Sequence, residues 1–158
     1  MPRTKTAINR VAIMFSILKG VIEMDMIDRW KVGDCAKCSR IVTEDVINDF
    51  AKLSGDYNRI HLDEEYAATT ILGRRIAHGL FCASIISYLV GVVLPGDGAI
   101  FLDESLKYKA PVYVNDNITG FVEIVDINAE KRIMKLTFKC VNQDDVVVLT
   151  GTTNVKVL

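Results

Sequence analysis

The chain has two histidines, His61 and His78, and the run SGDYNRIHLD places Asp56 and Asn58 just before the first of them. A carboxylate and an imidazole that face one cavity can hold a water molecule between them. One group then takes a proton from the water and the other delivers a proton to carbon. This chemistry suits the addition of water to a carbon–carbon double bond, or the reverse elimination of water. The spacing is also typical of a surface loop with a turn-forming Asp and a solvated His.

A second feature near this loop favours the chemical interpretation. Residues 77–79 read AHG at the start of a long apolar segment. The first backbone N–H groups of a helix are unpaired and carry the positive end of its dipole. A thioester oxygen close to the Gly79 N–H would be stabilised as an oxyanion, and glycine leaves room for that approach. His78 either lines the same pocket or starts the helix with a hydrogen bond to backbone.

Predicted helices flank the loop. An extended segment over 30–42 precedes a helix that Thr43 caps and that residues 54–55 end. Residues 56–60 are predicted to form a loop, and a short helix begins at Asp63. The apolar stripe expected on the first helix comprises Val46, Ile47, Phe50 and Leu53.

Residues 78–94 contain no charge and end at Pro95, which predicts a helix that is apolar on every side. Such a helix crosses a membrane or is buried in a core, and its length and two serines favour the core. Strands are expected at 99–110, 118–127, 133–141 and 146–158, and the third alternates apolar and polar residues. An antiparallel, hairpin-connected sheet wrapped around this helix is an α+β hot-dog arrangement.

Composition excludes several classes of protein. The 158 residues carry 19 basic and 20 acidic side chains, so no strong field would attract nucleic acid. Cys35 and Cys38 form a lone CxxC without a second pair of ligands, so we expect no metal site and no cofactor.

Residues 1–25 are basic, and only Glu23 and Asp25 among them are acidic. We interpret them as an extension or a targeting segment before a single domain over 26–158. The expected location is cytoplasmic, or mitochondrial if the segment is a presequence.

The runs GDYNRIHLDEEYA, RIAHG and LPGDGAIFLDESLKYKAPVYVND together resemble the MaoC-like, R-specific enoyl-CoA hydratases, over about residues 30–158. The resemblance implies a hot-dog homodimer, a lyase that acts on acyl-CoA or acyl-carrier-protein thioesters. It implies that Asp56 and His61 are catalytic and that Gly79 forms the oxyanion hole. It also implies that Asn58 positions the loop or the water and that Ser87 lies near the site.

One departure from the family pattern is visible. Arg59 stands where the family usually has proline, which predicts a less preorganised loop and a cation near the mouth of the pocket. Arg74 and Arg75 either meet the phosphates or acidic face of a carrier or are simply solvated. An acyl-thioesterase on the same fold and a non-catalytic thioester-binding protein remain the alternative functions.

Overall fold

The computed structural model describes residues 26–158. The predicted extension and targeting segment at 1–25 lie outside the described residues. They therefore stay predictions, as does the division of the chain at residue 26.

Helix α1, Glu44–Ser54, follows the first strand, β1, Cys35–Ile41. The Thr43 hydroxyl accepts a hydrogen bond from the backbone N–H three residues on, and Gly55 ends the helix in the left-handed conformation at φ 76°. Both ends confirm the sequence prediction, because the Thr cap and the Gly stop each satisfy backbone groups that the helix leaves unpaired.

The buried face of α1 differs from the predicted stripe. Ile47 and Ala51, one turn apart, are 2% and 1% exposed, whereas Leu53 is 85% exposed. Since successive residues turn by about 100°, a residue two positions after Ala51 points away from the core. The prediction that Leu53 belongs to the buried stripe is therefore wrong.

Two short helices follow, α2 at Arg59–Leu62 and α3 at Glu64–Ala68. The side chains of Asn58 and Asp63 cap them, each accepting a hydrogen bond from a backbone N–H of the helix that it begins. The cap at Asp63 was predicted. The predicted loop over 56–60 is too long by two residues, because the Asn58 cap already starts helical backbone at the next position.

The central helix, α4, runs over Gly79–Tyr88 and continues as a π-helical turn over Leu89–Val93. It packs against the sheet. A methyl group at Gly120 of the third strand would lie 2.7 Å from Ile85 Cγ2, so that glycine permits a close approach of strand to helix. None of the helices described for residues 26–158 combines the length and apolarity needed to cross a membrane.

One face of α4 is left uncovered by residues 26–158. Leu80, Ser84 and Ser87 are spaced at helical intervals on that face and are exposed, and so are Tyr88 and Val92. The predicted antiparallel sheet against a central helix is confirmed, and within residues 26–158 it covers part of the circumference of the helix. The sheet packs on one side of the helix and leaves a partly apolar face open.

Four strands follow the central helix: β2 at Ala99–Tyr108, β3 at Asn117–Asn128, β4 at Ile133–Val141 and β5 at Val147–Val157. The sheet has five antiparallel strands in the order β1-β3-β4-β5-β2. Hairpins connect β3 to β4 and β4 to β5, as predicted. The expected hairpin between β2 and β3 is wrong, because β2 pairs with β5 at one edge and the chain then crosses to β3 near the other edge.

Strand β4 confirms the predicted alternation. The four side chains on its core face are at most 3% exposed, while Lys135 and Lys139 on the other face are exposed. The side chains of a strand alternate between its two faces, so one face of the sheet packs on α4 and the other meets solvent. The core-facing residues of β4 are Met134, Leu136, Phe138 and Cys140.

We predict that Leu136→Ala lowers the free energy of unfolding by about 2–5 kcal/mol, because it removes buried methyl groups and leaves a cavity. Its neighbour supplies the control. Lys135→Ala, on the opposite face, should change the free energy by less than about 0.5 kcal/mol. Urea unfolding followed by circular dichroism measures both. Equal effects would contradict the facing of the strand.

Candidate active site

Asp56 and His61 are brought together at the start of α2. The distance from Asp56 Oδ2 to His61 Nε2 is 3.9 Å, and their side chains are 52% and 10% exposed respectively. This distance is too long for a direct hydrogen bond. A water oxygen about 2.8 Å from each atom fits between them with an angle of about 90° at the water.

A backbone carbonyl fixes the orientation of the His61 ring. Nδ1 lies 2.8 Å from the carbonyl oxygen of Ile76. Because a carbonyl only accepts, Nδ1 must be the donor, and the neutral ring then has a lone pair at Nε2, toward Asp56. The backbone of the same segment is also joined to α2, since the Ile76 N–H donates to the Ile60 carbonyl at 3.2 Å.

The surroundings of His61 favour its neutral form. Burial lowers the pKa of His61, and the proximity of His78 lowers the pKa further. The hydrogen bond to the Ile76 carbonyl and the Asp56 carboxylate act in the opposite direction, and the net shift is downward. The ring is therefore a proton acceptor at neutral pH.

His78 joins the start of the central helix to the Asp56 loop. Its Nε2 donates to the Asp56 carbonyl oxygen at 2.9 Å. The ring is 3% exposed, with its centroid 3.9 Å from that of His61 and 5.0 Å from that of Phe50. The sequence left open whether this side chain lines the pocket or bonds to backbone. In the structure it lines the cavity and also donates to a backbone carbonyl.

A cavity of about 390 Å³ opens beside the two histidines and the first residue of α4. A methyl group on Gly79 would lie 2.8 Å from Tyr108 Cε1, so the absence of a side chain there keeps Tyr108 and the helix tip together. The first N–H groups of α4 have no acceptor within the helix and point to the space in front of it. The lining residues include His61, His78, Gly79, Cys82, Tyr108, Lys109, Val112 and Val148.

Residues 35–146 match the model of the MaoC like domain. The chain belongs to the MaoC-like family. Among relatives, it is 40% identical over 126 residues to an (R)-specific enoyl-CoA hydratase of Aeromonas caviae, covering 80% of this chain and 94% of the relative. It is 43% identical over 117 residues to a 3-hydroxybutyryl-CoA dehydratase of Methylorubrum extorquens, covering 74% and 73% of the two chains.

A plant relative and a solved structure extend this comparison. A mitochondrial 3-hydroxyacyl-[acyl-carrier-protein] dehydratase of Arabidopsis thaliana is 32% identical over 124 residues, covering 77% of this chain and 74% of the relative. The solved structure of an (R)-hydratase from Aeromonas caviae superposes with a TM-score of 0.79 at 40% identity, covering 82% of this chain and 98% of the other. The fold of this MaoC-like protein is therefore the predicted hot-dog fold.

Asn58 and Ser87 have different surroundings in this MaoC-like protein. The Asn58 N–H donates to Asp56 Oδ1 at 3.2 Å, and its own Oδ1 accepts from the Ile60 N–H at 3.2 Å. Asn58 thus holds the backbone of the loop. Ser87 lies on the exposed face of α4 and is not among the described residues that line the cavity of this chain.

Arg59, expected near the pocket mouth, and Arg74 and Arg75, expected to meet a carrier or to be solvated, each contact another side chain of the chain. The Arg59 guanidinium donates to Asp63 Oδ2 at 2.8 and 3.0 Å, so its charge is neutralised along the helix and not aimed at the mouth as expected. Arg75 pairs with Glu44 and Glu64, at 2.7 and 2.9 Å. These pairs make Arg75 a link between α1 and α3. Arg74 lies over the ring of Tyr113, with its guanidinium carbon 3.9 Å from the ring centroid.

The four cysteines are free thiols. Cys35 is exposed and Cys38 is half-buried, as expected for positions three apart on a strand. Burial raises the pKa of Cys82, which lines the cavity, to about 12. This thiol is therefore protonated at neutral pH and is not a nucleophile.

A larger groove of about 670 Å³ lies on the solvent face of the sheet. Its walls come from strand side chains such as Lys107, Glu123 and Lys139, and none of its lining residues is a histidine. The smaller cavity is the better candidate, because it alone of the two is lined by His61, which lies beside Asp56, and by the first residue of α4.

The contacts that orient the two imidazoles were missed in the sequence. The Ile76 and Asp56 carbonyls are backbone groups that any residue supplies, so neither side chain indicates them. The RIAHG run marks the segment, but only the packed structure brings its carbonyl to His61. Tyr108, at the end of β2, also lines the cavity.

We predict that His78→Phe loosens the Asp56 loop, because a phenyl ring preserves the stacking but cannot donate to the Asp56 carbonyl. The loss should be about 1 kcal/mol of unfolding free energy. It should also speed hydrogen exchange at the amides of residues 56–58, measured by mass spectrometry. Asp56→Asn, which keeps the backbone carbonyl and the His78 hydrogen bond, is the control. Unchanged exchange in the His78 variant would contradict the anchoring role.

Proposed function

We propose that this protein is an (R)-specific enoyl-thioester hydratase, which interconverts a 2-enoyl thioester and the (R)-3-hydroxyacyl thioester. The observation that carries the proposal is the half-exposed Asp56 carboxylate 3.9 Å from the Nε2 of buried His61, beside the start of a long helix. The relatives named as an (R)-specific enoyl-CoA hydratase and a 3-hydroxybutyryl-CoA dehydratase support the same reaction.

The tautomer of His61 bears on how the water is held. Both the Nε2 lone pair and the Asp56 carboxylate are acceptors, so one water between them donates a hydrogen bond to each. Its oxygen lone pairs are then free for attack on the β-carbon of the enoyl group. Hydration forms the C–O bond, passes one water proton to the Asp56–His61 pair and returns a proton from the pair to the α-carbon. The second hydrogen stays on the new hydroxyl.

Gly79 serves the other end of the conjugated system. Attack on the β-carbon moves the π electrons toward the thioester oxygen, which becomes an enolate before the α-carbon is protonated. A backbone N–H at the first position of α4 can donate to that oxygen, and the positive end of the helix dipole favours the negative charge. The reverse reaction uses the same groups in the opposite protonation order.

The substrate class is an acyl thioester carried on coenzyme A or on an acyl-carrier protein. Relatives of both kinds are similar to this chain, since one is named for a CoA substrate and the plant protein for an acyl-carrier-protein substrate. Lys109 lines the cavity, and its ammonium group can pair with a phosphate of either carrier. We propose no cofactor, because the pair and the backbone donor supply each proton transfer and charge contact.

The activity test uses a short 2-enoyl-CoA and follows loss of the conjugated-thioester absorbance together with the configuration of the product. We predict that Asp56→Asn and His61→Ala each lower kcat/KM at least about a hundredfold, the usual scale for removing a general acid or base. Asp49→Asn is the matched control. This carboxylate lies on the exposed side of α1 and pairs with Lys52.

Three results would overturn the assignment. Release of free thiol instead of hydration would assign a thioesterase, and binding without turnover would assign a thioester-binding protein. Full activity in both site variants, with circular dichroism as evidence of folding, would remove the pair from the mechanism.

We propose that the protein works as a homodimer. Strand β2 is an edge of the sheet that residues 26–158 form, so one side of its backbone faces no partner strand there, and Leu102 on it is 52% exposed. The open face of α4 presents Leu80 and Val92, which are 56% and 62% exposed. A second copy that covers an edge strand and an apolar face removes both from water. Ser87, on the same face of α4, would then lie in the interface.

Sedimentation of two matched variants tests the dimer. Leu102→Glu puts a charge in the proposed interface and should weaken dimerisation at least about tenfold, because the carboxylate loses water without gaining a partner. Leu53→Glu changes a leucine on α1 that is 85% exposed and lies outside β2 and α4, and this variant should sediment as the unmodified protein does. A monomeric unmodified protein at assay concentration would refute the proposal.

The compartment stays a prediction. The cytoplasmic and mitochondrial alternatives both remain, and the plant relative with 32% identity is named as mitochondrial.

A further inference from the structure

We propose that Asp56, His61 and His78 form a binding site for Zn²⁺, and that the bound ion takes the place of the reacting water and inhibits the protein. The binding rests on the arrangement of these three side chains alone. The inhibition rests on the proposed hydratase function.

Each of the three side chains offers one potential ligand atom, and these three atoms lie within 4.8 Å of one another. Zinc bonds of about 2.0–2.2 Å require ligand atoms about 3.3 Å apart in a tetrahedral site. The cluster must therefore contract by roughly 1 Å or more. Asp56 is the side chain free to do so, since it is half exposed and is held at Oδ1 by the Asn58 N–H alone among the described hydrogen bonds.

The hydrogen bonds of the two rings match those of zinc ligands. In metal sites, a ligating His usually donates its second N–H to a carbonyl or carboxylate, which fixes the tautomer. His61 donates to the Ile76 carbonyl and His78 to the Asp56 carbonyl, at 2.8 and 2.9 Å. Each ring therefore has its remaining nitrogen as a lone-pair donor without giving up a proton.

His78 gives the independent reason to expect a ligand. Its Nδ1 is buried, and within the described part of the chain it has no hydrogen-bond partner. A buried lone pair without a partner costs free energy, and the ring itself is 3% exposed. The hydrogen bond from His78 to the Asp56 loop uses only Nε2, so anchoring the loop does not explain why His78 Nδ1 is buried.

The ligand set selects the ion by its chemistry. Two imidazoles and one carboxylate suit Zn²⁺ and similar transition metals, whereas Mg²⁺ and Ca²⁺ take oxygen ligands. Three protein ligands leave a fourth position open to solvent from the cavity. An ion held there would use the Nε2 of His61 and the carboxylate of Asp56, the two groups that hold the water in hydration.

Titration calorimetry with zinc chloride tests the binding, with the full chain carrying Cys35→Ser and Cys38→Ser. These substitutions remove the more accessible thiols, which also bind zinc. We expect one Zn²⁺ per chain, no comparable heat with magnesium chloride, and at least about tenfold weaker zinc binding in Asp56→Asn and in His78→Phe. Asp97→Asn, an exposed carboxylate beyond the far end of α4, should bind zinc as the parent does.

The outcomes separate the two proposals. Zinc affinity that is unchanged in Asp56→Asn, whose side chain is half exposed and not needed for the core, overturns the site whatever His78→Phe does. A weaker affinity in Asp56→Asn with no hydratase activity in the metal-free parent supports the site and refutes the proposed reaction. If the parent is active, zinc should lower the apparent kcat, because the ion takes the place of the reacting water while the thioester cavity stays open. An active parent that keeps its full rate when the site is saturated with zinc would overturn the proposed displacement of water.

Discussion

The side chain of His78 connects the two parts of the site that the chain keeps far apart. From the cap of the central helix it donates to the backbone of the Asp56 loop and lies against the ring of His61. The carboxylate, the imidazole and the helix start therefore keep a common geometry although they belong to three backbone segments. Preorganisation of this kind matters for proton transfer, because a small displacement of either group costs rate. The remaining contacts of the site add to this connection, as the Ile76 carbonyl does for His61.

Much of the fold was predictable because its signals are local. The caps at Thr43 and Asp63, the stop at Gly55 and the alternation along β4 each depend on residues within a few positions of one another. The four long strands were found within two residues of their observed ends for the same reason. Leu53 shows the limit, since apolarity predicts a buried face but only packing decides which apolar residues are covered.

The site was predictable in its residues and not in its surroundings. Asp56 and His61 are close in sequence, so a loop could be expected to bring them together. Arg59 illustrates the opposite case, because its charge is neutralised by Asp63, which also caps α3. Metal binding had been judged on the cysteine pair alone, whereas the cluster that can hold an ion joins residues 22 positions apart. Distances of this kind follow from the topology, and nothing in the local pattern records them.

The strand order also has a consequence for how the molecule folds. Strands β3, β4 and β5 are neighbours in both sequence and space, so they can pair while the rest of the chain is still disordered. The edge strand β1 closes a loop of eighty residues when Ser39 meets Thr119. Loop closure of that size is slow, and nonlocal pairing delays folding. We therefore expect the three-strand hairpin unit to form early, with the elements that bear Asp56 and His78 settling on it afterwards.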